Sequence, residues 1–318
     1  MKKILHTIAV TGATGFIGRN VVDFLKGVPD CRVVAAGRDE RRLRRLNVEY
    51  AVCDINDGAP DCFDLLGRPD TLIHLAWDGL DNYRSSVHIE RNLMSGYNFL
   101  KDMIGGGLSN LVVAGTCYEY GLQSGCLNED APPAPTIPYA IAKDALRRFI
   151  GTLGRDHAFR FCWARFFFLH GEGQNPGSLI PRLDAAIASG AESFDMSGGE
   201  QLRDYLPVEQ AARLLAKVAL QKEHEGIFNI CSGRPISVRR LVEERIAQKK
   251  GKIRLNLGVL PYPDYEPMAY WGDAGRLEMA VSAFDEEFSG LSRLGGRIPH
   301  KNYEVLTCRQ RSSRGLDS

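Results

Sequence analysis

Long apolar runs are missing from this chain, and no stretch is long and apolar enough to span a bilayer. Membrane partners are therefore not expected. Charge of one sign is missing too. Forty basic and 39 acidic side chains leave a formal net charge of +1, so nothing in the balance points to nucleic acid. Eight cysteines occur, yet none stands in a C-x-x-C pair, and no metal site is expected. Scattered cysteines of this kind suit a reducing cytoplasm better than a disulfide scaffold. Cys53 and Cys231 lie in apolar, strand-like stretches and read as core residues. The start, Met-Lys-Lys-Ile-Leu-His, is charged, but its apolar run meets glycines at once. It reads as a first strand and not as a signal peptide. There is no internal repeat and no low-complexity segment. A chain of 318 residues implies one large domain or two closely joined ones.

What is present is alternation. Short apolar strands are expected at His6 to Thr11, Arg32 to Ala36, Tyr50 to Asp54, Thr71 to Ala76 and Asn110 to Gly115. Helical spacing fills Phe16 to Lys26 and Glu90 to Ile104, where Gly105-Gly106-Gly107 breaks the helix. Such alternation predicts an α/β fold with a doubly wound parallel sheet and helices on both faces. A proline-rich loop runs from Gly121 to Pro138, and a helix starts at Pro138-Tyr139. Phe159 to Leu169 reads as one strand buried on both faces. After Gly171 the pattern loosens, with a strand at Gly226 to Ile230 and a helix from Ser237 to Lys249 capped by Ser237. The expected division is 1–168 for an NAD(P)-binding Rossmann domain and 169–288 mainly for substrate, with some segments returning to the sheet. Residues 289–318 are basic near their end and read as a loosely held extension.

The first strand leads into Thr11-Gly12-Ala13-Thr14-Gly15-Phe16-Ile17-Gly18 and then a helix. The glycines stand at i, i+3 and i+6. Gly12 permits the tight turn, Gly15 lets backbone approach a pyrophosphate, and Gly18 lets helix pack on strand. The helix N-terminus offers N–H groups and a positive dipole end to the phosphates. This spacing resembles the short-chain dehydrogenase/reductase superfamily in its extended form, within the NAD-dependent epimerase/dehydratase family. The resemblance runs from about Ile4 to Leu277 and weakens toward the C-terminus. It implies a Rossmann domain with a smaller C-terminal substrate-binding part, and a dinucleotide held by Gly12, Thr14, Gly15, Phe16, Ile17 and Gly18. By the same resemblance Asp54-Ile55 stands against the adenine, and Leu75-Ala76 after His74 lies under the cofactor.

An acid at the end of the second strand favours NAD. Here Gly37 takes that place and Arg38 follows, and a guanidinium suits a 2′-phosphate. NADP(H) is the preferred expectation and NAD(H) the alternative, since Asp39 is next in line.

Tyr139-Ala140-Ile141-Ala142-Lys143 puts a phenol and an ammonium on one helical face. An unperturbed phenol, with a pKa of about 10, is a weak acid at neutral pH. A nearby ammonium is expected to lower that value, so that Tyr139 exchanges a proton with a substrate oxygen. Tyr97-Asn98-Phe99-Leu100-Lys101 repeats the spacing and reads as helix surface. Only Tyr139 follows the fifth strand, which ends in Gly115-Thr116 ahead of Tyr120-Gly121. In the resembled family a Ser or Thr stands there, so Thr116, Tyr139 and Lys143 form the expected catalytic trio, with Lys143 also on the cofactor.

The family's dehydratases follow the Thr with Asp and Glu. Here Cys117 and Tyr118 stand there, which argues against dehydration. Cys117 reads as a packed thiol. Arg165 to Gln174, Arg203-Asp204-Tyr205, Gly226 to Ile230 and Trp271-Gly272-Asp273 resemble segments of the nucleotide-sugar branch. Phe168 replaces a frequent asparagine, and Tyr262-Pro263-Asp264 lies where an arginine is often found. Arg203 is expected either on a diphosphate or in an ion pair with Glu200 or Asp204. Trp77, Asn82, Thr116, Tyr139 and Arg203 are the expected substrate contacts. His-Leu-Ala-Trp with a nearby Asn-Tyr looks most like the 4-ketoreductases that finish deoxysugars.

The expected function is NAD(P)H-dependent reduction of a nucleotide-activated 4-keto-6-deoxysugar in deoxysugar or surface-polysaccharide biosynthesis. The alternatives are a nucleotide-sugar 4-epimerase with tightly held NAD and a non-catalytic dinucleotide-sensing protein. By resemblance the chain is expected to be a cytoplasmic homodimer, joined through the helices near Glu90 to Ile104 and Tyr139 to Leu153.

Overall fold

The computed structural model describes residues 6–56 and 61–287; the tail expected from residue 289 lies outside them. The chain first lays down β1 (His6–Thr11), α1 (Phe16–Leu25), β2 (Cys31–Gly37), α2 (Glu40–Arg44), β3 (Glu49–Val52), α3 (Cys62–Leu65) and β4 (Thr71–His74). A π-helical turn (His88–Asn92) then leads into α4 (Leu93–Gly105), β5 (Asn110–Thr116) and a 3-10 turn (Cys117–Tyr120). β6 (Gly125–Leu127), α5 (Pro138–Leu153), β7 (Arg160–Phe166) and β8 (Phe168–His170) follow. The later part holds α6 (Leu179–Ala188), β9 (Ser193–Asp195), β10 (Leu202–Pro207), α7 (Val208–Leu220), β11 (Gly226–Ile230) and β12 (Pro235–Ser237). It closes with α8 (Val238–Gln248), β13 (Arg254–Asn256), β14 (Tyr270–Gly272) and α9 (Gly275–Glu287).

Seven parallel strands form the main sheet in the order β11-β7-β5-β4-β1-β2-β3. The alternation of strands and helices is thus a doubly wound Rossmann sheet. Side chains alternate between its faces at a period of two. Ile8, Val10, Ile73 and Val112 pack toward α1, α7 and α9, while Ala9, Leu72, Leu111 and Val113 pack toward α3, α4 and α5. The chain order reverses between β1 and β4, and such a switch point opens a crevice beyond the carboxyl ends of the strands.

Two elements differ from the sequence expectation. The apolar run expected as one strand over Phe159 to Leu169 is two. The Phe167 N–H makes the last rung of the β7–β11 ladder, to Ile230 O (3.2 Å), and from Phe168 the chain leaves that sheet: β8 joins β10 in a separate three-stranded sheet. The expected helix from Glu90 starts instead as the wide turn at His88. There Trp77 Nε1 donates to His88 Nδ1 (3.0 Å) and Asn92 Nδ2 to the Asp78 carbonyl (2.9 Å), tying this turn to the loop after β4. Ser237 does cap α8, accepting from Arg240 N at 3.2 Å.

His74 ends β4 in full burial, its Nδ1 joined to Thr11 Oγ1 at 2.9 Å. Burial, helped by the Lys143 charge, pushes its pKa down to about 3. Between about pH 3 and 6.5 the unfolded chain therefore takes up a proton that the folded chain refuses. The stability contributed by His74 is complete above 6.5 and is lost as pH falls toward 3. Between pH 7 and 5 this amounts to roughly 2 kcal/mol. Urea unfolding should show a steeper loss over that range for the native chain than for His74→Asn; equal slopes would refute the assignment.

Candidate active site

The glycine turn closes as its spacing requires. Gly12 has φ +65°, and a Cβ on it would stand 2.8 Å from Ala76 N. A Cβ on Gly18 would collide with the Gly12 carbonyl, so α1 can pack this closely on β1 only through glycine. A Cβ on Gly15 would meet only Gly12 O, at 3.1 Å, which leaves its backbone open to the crevice. α1 has no side-chain cap and no acid in its first turn. Its N–H groups and positive dipole end thus face a cavity of about 1060 Å³. An anionic dinucleotide fits this bare, uncapped helix start.

All the expected cofactor residues line that cavity. Gly12, Thr14, Gly15, Phe16, Ile17 and Gly18 form its glycine-turn wall. Arg38, Asp54 and Ile55 stand at the ends of β2 and β3, and Leu75, Ala76 and Lys143 lie beyond β4. Arg42 joins them, donating to Thr14 O at 2.8 Å. A Cβ at Gly37 would find Thr14 Oγ1 only at 3.8 Å, so packing does not demand glycine there.

Thr116, Tyr139 and Lys143 are brought together at the middle of the same cavity, all buried. Thr116 ends β5, its hydroxyl accepts Tyr118 N at 3.3 Å, and it lies near the Tyr139 phenol. Pro138 and Tyr139 open α5, and Lys143 is one turn on. The Lys143 ammonium donates to Ala114 O (2.8 Å) and sits 3.9 Å from the centre of the Trp77 ring. The lowering of the phenol expected from Lys143 is not seen. Burial, with the neighbouring Tyr83, Glu119 and Cys117, holds Tyr139 well above the ordinary phenol value, and the nearby Thr116 hydroxyl opposes it only in part. Burial likewise brings Lys143 down to about 7. Tyr139 is therefore kept in its acid form. The second copy of the spacing lies elsewhere on α4, with Tyr97 edge-on to Phe149 and Lys101 exposed.

Aromatic side chains wall the far half. Tyr83 stacks on Tyr139 (5.2 Å, 24°) and accepts the Tyr139 N–H on its carbonyl at 3.1 Å. Trp77 meets Tyr139 edge-on at 6.1 Å. Asn82 does not line the cavity: its carbonyl is bonded to His88 Nε2 and its side chain to Arg84 N. Its neighbour Tyr83 takes the wall. Arg203 does line it, but its ion-pair partner is Glu266 (3.1 and 2.8 Å) and not Glu200 or Asp204. Its remaining nitrogen donates to the carbonyls of Leu202 and Met268. Glu200 instead takes the Tyr262 hydroxyl, and Asp204 takes Ser232 and Gly233. Tyr118 also donates to Glu266, at 2.8 Å. Cys117 is packed against Tyr270 OH at 3.7 Å, and burial pushes its thiol up to about 12, so it is inert.

Residues 8–231 match the NAD dependent epimerase/dehydratase family over most of the chain. The chain belongs to this family. Among its relatives is the dTDP-6-deoxy-L-talose 4-dehydrogenase (NAD(+)) of Aggregatibacter actinomycetemcomitans, 33% identical over 83% of this chain and 98% of that protein. The GDP-6-deoxy-D-mannose reductase of Pseudomonas aeruginosa is 25% identical over 74% of this chain and 77% of the relative. Among solved structures, MoeE5 in complex with UDP-glucuronic acid and NAD superposes with a TM-score of 0.75 at 26% identity, covering 87% of this chain and 92% of that one. As a family member the chain is an NAD(P)-dependent enzyme of the extended short-chain dehydrogenase/reductase type.

Below the trio lies a residue that sequence reasoning missed. Glu119 has no exposure at all, and one of its oxygens accepts Thr116 N at 2.9 Å, completing a capping box around Thr116. It also accepts Trp163 Nε1 (2.9 Å) and the buried Arg165 Nε (2.8 Å). Gly115 makes room for it, since a Cβ there would stand 2.6 Å from Glu119 Oε1. The sequence signal was the S/T-x-x-E spacing of Thr116 and Glu119. Arg182 of α6 was missed as well. It is exposed on the cavity wall and makes no ion pair among the described residues.

Proposed function

We propose that this chain reduces a nucleotide-activated 4-keto-6-deoxysugar at C4 with NADP(H) as the preferred cofactor. The observation that carries the reading is the buried trio, with Tyr139 held as an acid at the centre of the cavity. A nicotinamide held along the glycine turn would supply hydride to the carbonyl carbon. Thr116 hydrogen-bonds the carbonyl oxygen, and Tyr139 delivers the proton as negative charge builds there. Lys143, one turn on from Tyr139, would hold the nicotinamide ribose. The inert Cys117 and the tied Tyr118 leave no acid and base in the places where dehydratases carry them.

The relatives support this class of substrate. The talose 4-dehydrogenase is named for C4 of a dTDP-linked 6-deoxysugar, and the Pseudomonas relative is named as the reductase of a GDP-linked 6-deoxysugar. Arg203 is spent on Glu266, so Arg182 and the uncapped start of α6 are the groups on this side suited to a diphosphate. Arg38 and Arg42 beside the unfilled Gly37 position favour a 2′-phosphate.

Purified protein mixed with NADPH and a dTDP- or GDP-linked 4-keto-6-deoxysugar should consume the reduced cofactor in step with the 4-hydroxy product. Conversion of a nucleotide hexose to its C4 epimer without net consumption would replace this reading by an epimerase. Failure to bind any nicotinamide dinucleotide would overturn both.

A further inference from the structure

We propose that Asp78 tempers the preference for a 2′-phosphate by competing with it for Arg38. This rests on the reading above that the crevice takes a nicotinamide dinucleotide with Arg38 as its phosphate cation. The two residues come from opposite walls: Arg38 follows β2, and Asp78 lies in the loop after β4. The Arg38 fork meets the carboxylate with both terminal nitrogens, at 2.8 and 3.1 Å. That edge of a guanidinium can also grip a phosphate bidentately, so a phosphate placed on it competes with Asp78.

Asp78 is built into place rather than swept there by a flexible loop. Its carbonyl accepts from the buried Asn92 at 2.9 Å, and its carboxylate also receives Asn56 and Arg91, each at 3.3 Å. Next to it, Trp77 is fixed by His88. Asp54, 3.8 Å from Arg38, adds negative charge on the same side. A cofactor without the 2′-phosphate can enter with this ion pair intact. One that carries it must draw Arg38 away from Asp78 and work against two carboxylates. Because Arg38 is 59% exposed, water screens the pair, and Asp78 acts as a modest counterweight and not a lock.

Binding titrations of NADPH and NADH, read by fluorescence or calorimetry without any sugar, test this. In Asp78→Asn, NADPH should bind about two- to fivefold more tightly, while NADH affinity stays nearly constant. Asp78→Ser should behave alike. Arg38→Ala should weaken NADPH, and adding Asp78→Asn to it should bring no recovery, because the competition needs the guanidinium. If Arg38→Ala weakens NADPH but neither Asp78 variant changes the NADPH-to-NADH ratio, the proposal for Asp78 is overturned and the role of Arg38 stands. If Arg38→Ala leaves NADPH affinity unchanged, the role of Arg38 fails and takes the proposal with it.

Discussion

Tyr139→Phe will lower kcat for reduction by about 100- to 10,000-fold, the usual worth of a positioned proton donor. The ring is enclosed by Tyr83, Trp77 and His88, and phenylalanine fills the same space, so the fold and the glycine-turn wall stay as they are. What is lost is one hydroxyl, the group beside Thr116 that burial keeps protonated. Hydride transfer would then leave an alkoxide with no nearby proton, since Cys117 is an inert thiol and Lys143 is turned onto Ala114 O and Trp77. Dinucleotide affinity, measured separately, should barely move. A kcat loss of less than tenfold would mean that the proton comes from another group.

Glu119→Ala will cost about 3–5 kcal/mol of stability, the loss seen when one member of a buried ion pair is removed. Arg165 has no exposure, and its two terminal nitrogens already lack hydrogen-bond partners among the described residues. Without Glu119 its charge would rest only on the face of Tyr120, 4.4 Å away. Trp163 Nε1 and the Thr116 N–H would lose their acceptor in the same step. Thermal unfolding should fall by roughly 10 °C for a chain of this size. Glu119→Leu combined with Arg165→Met should be less damaging than the sum of the single changes, because no charge is then stranded. A Glu119→Ala protein as stable as the native one would refute this account of the pair.

The sequence was readable where chemistry sits in one segment. The turn from Gly12 to Gly18 and the Tyr139–Lys143 spacing depend only on local geometry, and the structure brings both to one cavity. The trio is assembled because β5 and the start of α5 end at the same edge of the sheet. Partners chosen across long stretches of chain left no local trace. Arg203 finds Glu266 and Arg165 finds Glu119, at separations of 63 and 46 residues, and no spacing rule selects them. In Phe166-Phe167-Phe168 an unbroken aromatic run hides a change of sheet, since every residue is apolar whichever sheet it joins. The exchange of Asn82 for Tyr83 on the wall is a loop effect. One residue's difference in backbone direction decides which side chain faces the cavity, and composition does not encode it.

β14 pairs in parallel with β6, joining Tyr270 to Gly125 and Gly272 to Leu127 across nearly half the chain. During synthesis the strands of the main sheet up to β11 leave the ribosome before residue 231, but Glu266 and Tyr270 are still to come. Tyr118 and Arg203 must wait for their shared carboxylate until then. The nascent chain can thus form most of its dinucleotide crevice before the last stretch of the opposite wall, Leu260 to Glu266, is added.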